Sequence, residues 1–145
     1  MKFLPLLGKR LKDDEVIDLL DEKDIQVIYD FDRLHENMPD KYWATSQSDG
    51  FELCFDADQI LSVIFLYATP ADGFTAVGQA DDVHFFSTLQ QAEAHAAQQN
   101  IHLSKGEADF MGAKRHWLRL EYHAHSVHYE FRDGHLARVT LTNKQ

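Results

Sequence analysis

Cys54 is the only cysteine in this chain, and that scarcity excludes two architectures at once. No internal disulfide can form and no thiolate metal cluster can be built from the chain alone, which suits a reducing compartment. Proline is nearly as rare, at three residues in 145, and no low-complexity run occurs; with 44% apolar and 12% aromatic residues, nothing has the composition of a disordered segment. Long apolar runs are missing too. The opening "MKFLPLLGKR" carries only about five apolar residues before Gly8, Lys9 and Arg10, too few for a secretory core, and no later stretch approaches the ~20 of a membrane span. The expectation is a soluble cytoplasmic protein with no membrane partner.

Basic residues are also short, 14 against 24 acids, for a net charge of −10. That balance weighs against phosphate-backbone binding, so no nucleic-acid partner is expected, and it favours a basic protein partner. The acids crowd the early chain, from Asp13 to Asp40. Catalytic signatures are missing as well: there is no Gly-rich phosphate loop, nucleophile elbow or dinucleotide fingerprint. Cys54 lies between Leu53 and Phe55 with no glycine elbow near it, so it reads as a packed thiol rather than a nucleophile. A non-enzymatic protein without a cofactor is the reading.

What is present is periodic. "DDEVIDLLDEKD" opens on Asp13 and Asp14, good first-turn residues, and sets Val16, Ile17, Leu19 and Leu20 at helical spacing. "IQVIYDF" alternates Ile25, Val27, Tyr29 and Phe31 as a strand does. "DRLHENMPDKYWATSQSDG" is loop, with a short extended piece around Tyr42 and Trp43, and "FELCFDADQILSVIFLYA" is strand, turn, strand. The Gly- and Pro-punctuated "TPADGFTAVGQADD" is a long connection pinned by Phe74 and Val77. A second helix begins at Ser87, with Gln90 completing a capping box, and stops at Asn100. "HWLRLEY" and "SVHYEFRDGHLARVTLT" supply three more strands.

The halves are alike. Shifted by 76 residues, "GFELCFDADQILSVIFL" falls on "SVHYEFRDGHLARVTLT" without a gap, Phe55 over Phe131 and Val63 over Val139. This predicts one α+β domain over 1–145, made of two tandem helix and β-meander repeats, about 8–68 and 84–143, sharing one antiparallel sheet with the helices on one face. Keeping Val127, Tyr129 and Phe131 on the same face as Ala137, Val139 and Leu141 requires a three-residue loop or a β-bulge near Asp133-Gly134. On the same alignment the outward Arg138, Thr140 and Thr142 correspond to Ser62, Ile64 and Leu66. Ile64 and Leu66 would then form an apolar outer face covered by the chain itself, by a partner, or by a second copy in a homodimer.

Two sets of residues are candidates for a site. His123, His125 and His128, with Glu130 beside them, offer the alternative of a small-ligand or metal-binding protein or hydrolase. The shift puts "HAHS" where the first half has "QSDG", however, so these histidines read first as a turn, able to weaken the negative field by titrating near pH 6–7. Asp30 and Asp32 would share a strand face, but two acids alone do not make a divalent-ion site. The second set is a partner-binding edge: Asp30, Asp32, Glu36 and Asp40 with Tyr42 and Trp43, joined by the outward His128 and Glu130.

Hairpins of the type "YEFRDGHLARVTL" within a duplicated helix and meander resemble the beta-lactamase-inhibitor-protein-like fold, whose half-unit also occurs in small bacterial outer-membrane assembly lipoproteins. Proteins of that fold bind other proteins through the sheet or its loops. In size, acidity and lack of catalytic motifs the chain is also similar to cytoplasmic immunity proteins of bacterial polymorphic toxins. That resemblance implies an inhibitor of a basic toxin domain.

Overall fold

The computed structural model describes residues 1–31 and 34–145, the side chain of Phe110 excepted. After a short 3-10 turn at Leu4–Leu6 come α1 (Asp14–Glu22), β1 (Val27–Asp30), β2 (Lys41–Ser46), β3 (Phe51–Phe55) and β4 (Leu61–Tyr67). A long connection leads to α2 (Leu89–Gln98), β5 (His102–Phe110), β6 (Ala113–Glu121), β7 (His125–Arg132) and β8 (His135–Asn143). The strands form one sheet in the order β1-β2-β3-β4-β8-β7-β6-β5, every pairing antiparallel. The α+β class and the single antiparallel sheet are as expected.

Both helices bury their apolar side on one face of this sheet. Val16 and Leu19 of α1 and the small Ala92 and Ala96 of α2 join a core with Leu53, Phe55, Ile64, Leu66, Leu118, Leu120, Tyr129, Phe131, Val139 and Leu141. Ile17, expected on the buried stripe, is exposed at the stripe's margin. The cap of α2 sits one residue later than the sequence suggested. Thr88 is the N-cap and accepts from Gln91 N at 3.2 Å, while Gln91 Oε1 accepts from Ser87 N at 3.1 Å. The connection before α2 is tied down by Phe74, stacked on Tyr67 at 4.1 Å, and by Asp82, whose carboxylate accepts from Phe3 N and Leu4 N.

A bulge is present where the alternation demanded a correction. Glu130 opposes Arg138, the register shifts, and Phe131 opposes Leu136, so Ala137 is the extra residue and Leu136 takes the core position expected for Ala137. Asp133 and Gly134 close the turn with φ of 50° and 83°. The first hairpin bulges too, Cys54 opposing Val63 and Phe55 opposing Leu61, but with five residues between Phe55 and Leu61 against four between Phe131 and Leu136. That extra residue overturns one face assignment. Ile64 and Leu66 lie fully buried beneath the helices, opposite Leu141 and Val139, whereas Val63 and Phe65 face outward. The surface anticipated for a homodimer through Ile64 and Leu66 is core.

β5 was not anticipated. It is an edge strand whose Lys105, Gly106, Glu107 and Asp109 break any apolar alternation, and such residues discourage further strand pairing.

Candidate functional site

The sheet has two edges, and they differ in chemistry. β5 is charged, while β1 reads Val-Ile-Tyr-Asp and all four residues are exposed. Eight large apolar residues are exposed among the described residues, and six of them, Val27, Ile28, Tyr29, Phe31, Leu34 and Met38, belong to β1 and the loop after it. Ile28 is 64% and Leu34 75% exposed, so this is apolar surface left in water rather than the margin of the core. A contiguous patch of that kind marks an interaction site more often than a lone exposed residue does.

Ring stacking runs along this edge. Phe31 stacks on Tyr29 at 5.6 Å and Tyr29 on Tyr42 at 4.8 Å, while on the helix-free face Trp43 stacks on Phe65 at 6.3 Å. Two shallow cavities share Asp30 and Trp43 as walls. One, of about 330 Å³, is closed by Phe31, Leu34, Glu36 and Met38; the other, of about 380 Å³, by Ile28, Tyr29, Thr45 and Glu52. The loop's ends are joined by the Tyr29 hydroxyl, which donates to Asp40 at 2.6 Å. That bond to a carboxylate, with a further contribution from its negative charge, holds the phenol at about 12.

Of the anticipated partner-binding residues, Asp30, Glu36, Asp40, Tyr42 and Trp43 therefore meet at one end of the sheet; Asp32 lies outside the described residues. His128 and Glu130 do not join them. They sit on β7, four strand spacings from β2, or about 19 Å at ~4.8 Å per strand. The apolar members Ile28, Phe31 and Leu34 were missed. Their signal was the doubly apolar "VIY", which puts Ile28 on the face opposite Val27 and Tyr29.

The histidines do not converge. His125 is on the helix-bearing face, stacked on Tyr122 at 4.8 Å, and lines a cavity of about 230 Å³ with His84 and His95. His128 is on the opposite face, stacked on Trp117 at 5.6 Å. Burial pushes both imidazoles below their ordinary value, against the titration near pH 6–7 that the sequence suggested. Among the described residues no group of three or more His, Cys, Asp or Glu is arranged to hold a metal ion. Cys54 is buried on the sheet and burial raises its thiol pKa, the reverse of an activated nucleophile. Among the described residues no helix is long and apolar enough to cross a membrane. No family model, curated protein or solved structure matches the chain.

Proposed function

We propose that this chain is a non-enzymatic protein-binding module, an immunity-type inhibitor that blocks a basic toxin or enzyme domain in the cytoplasm. The observation that carries the reading is the concentration of exposed apolar residues on β1 and the following loop, bordered by Asp30, Glu36 and Asp40. Ile28, Tyr29, Phe31 and Trp43 are the large, stiff side chains that supply most of the energy of an interface, and the acids around them exclude like-charged partners. With a net charge of −10, the chain attracts a basic partner at long range. Inhibition is steric: the partner's active surface is covered, and no bond is made or broken.

The same proposal includes an internal duplication. Each half runs helix then four strands, and β4 lies beside β8 at the centre of the sheet. The core positions correspond with an offset of 76 in the first hairpin strand, Phe51 to Val127 and Leu53 to Tyr129. The offset is 75 in the second strand, Ile64 to Val139 and Leu66 to Leu141.

The experiment is to read whether the neighbouring reading frame encodes a large secreted protein with a toxin-like terminal domain and, where it does, to co-express that domain with this chain. A one-to-one complex and relief of that domain's toxicity are expected; absence of both sets the reading aside.

A further inference from the structure

The helix-free face of β6, β7 and β8 carries a concentration of cations that runs against the charge of the whole chain. Arg115 Nη1 and Arg132 Nη2 lie 3.3 and 3.5 Å from Glu130 Oε1, and Arg138 Nη2 lies 3.5 Å from Glu130 Oε2. One carboxylate, with its side chain only 12% exposed, thus answers three guanidinium groups. Next along the face, Glu121 is shared by Arg119, at 2.8 Å, and by Lys144. Four of the chain's six arginines are gathered here, and this face holds five cations against two acids.

The cluster is rigidly framed. Arg138 lies over the ring of Phe65, 5.2 Å from its centroid. Trp117 packs so closely over Gly106 that a Cβ there would fall 2.7 Å from the indole, and His128 stacks on Trp117. Donors outnumber acceptors: four guanidinium groups and one ammonium meet two carboxylates, and the side chains of Arg119, Arg132 and Arg138 remain partly exposed. Arginine rather than lysine supplies this charge, and its planar fork matches the paired oxygens of carboxylate and phosphoryl groups.

We propose that the face around His128, bounded by Arg119, Arg132 and Arg138, binds a multivalent oxyanion, phosphoryl or carboxylate. The ligand supplies acceptors that Glu130 and Glu121 alone cannot, and its charge is met locally by the excess of cations on this face. Arg132 and Arg138 also line a cavity of about 400 Å³ with Asp72 and Asp133. The proposal does not rest on the function proposed above: its residues lie on β6, β7 and β8, and Phe65 of β4, beneath Arg138 and stacked on Trp43, lies between the two surfaces.

The test is calorimetric titration of the intact protein with pyrophosphate and, separately, with citrate, at ionic strength held constant with sodium chloride. Saturable one-site binding is expected in at least one arm; a response to pyrophosphate alone assigns a phosphoryl ligand and a response to citrate alone a carboxylate. Arg138→Gln is expected to weaken binding about tenfold, as loss of one charged hydrogen bond does. Arg119→Gln, which leaves the Glu130 cluster intact, is expected to weaken it in the same sense. Glu130→Gln is expected to tighten binding by removing the internal competitor, an effect that a purely structural glutamate would not produce. No saturable binding in either arm, or affinity indifferent to both arginine variants, overturns the proposal.

Discussion

Tyr29 and Asp40 close the loop between β1 and β2: the phenol donates to the carboxylate at 2.6 Å, and the two residues bracket the exposed Phe31, Leu34 and Met38. The bond is exposed, so its consequence is geometric more than energetic. It fixes the distance between the end of one edge strand and the start of the next. Asp40→Asn is expected to return the Tyr29 phenol from about 12 towards the ordinary value near 10, read by ultraviolet titration of the tyrosines. An unchanged titration would mean that the bond does not persist in solution.

Ile64→Ala is expected to cost about 2–5 kcal/mol, as removal of a buried aliphatic side chain does. Val63→Thr, on the helix-free face, is expected to cost about 1 kcal/mol or less. Chemical denaturation distinguishes them, and equal costs would return Ile64 to the outer face.

Gly50 holds the long connection against the sheet. Its φ is +74°, and a Cβ there would lie 2.4 Å from Thr75 O and Val77 N, both backbone atoms that cannot swing aside. Gly50→Ala is therefore expected to cost at least ~2 kcal/mol. Gly78→Ala, where a Cβ meets nothing within 4 Å, is expected to be near neutral. Denaturation midpoints of the two variants make the comparison.

Stability is expected to fall on mild acidification. Burial lowers the affinity of folded His125 and His128 for a proton; Lys144 reinforces this for His125, and Arg119 and Arg138 do so for His128, against the opposing charges of Asp82 and Glu130. The unfolded imidazoles titrate near ~6.5, so below that pH the unfolded chain binds more protons and is favoured. The melting temperature should hold above that pH and decline as pH falls through the window beneath it. His128→Gln should make the decline shallower; an equally steep decline would remove His128 as a cause.

Much of the fold was legible because its signals are local. The alternation of Val127, Tyr129 and Phe131 against Val139 and Leu141 specified a hairpin and even the need for a bulge. A gapless repeat could not reveal that the first hairpin loop is one residue longer, and a slip of one residue moves every side chain to the other face, so Ile64 and Leu66 were misplaced. β5 was illegible because Lys105, Gly106, Glu107 and Asp109 answer the needs of an edge, not those of a core. At the site, the acids and Trp43 were readable by type. The exposure of Ile28 and Phe31 was not, since apolar alternation ordinarily means burial.

We propose that β1 and the loop after it dock a basic protein. Where the neighbouring reading frame encodes a toxin-like domain, isothermal titration of that domain with wild type, Ile28→Asp and Phe31→Asp is the test, with circular dichroism confirming that each variant is folded. Because both side chains are exposed, folding should be unaffected while affinity falls at least about a hundredfold, the loss expected on substituting an interface anchor. Wild-type affinity in both folded variants would contradict the claim.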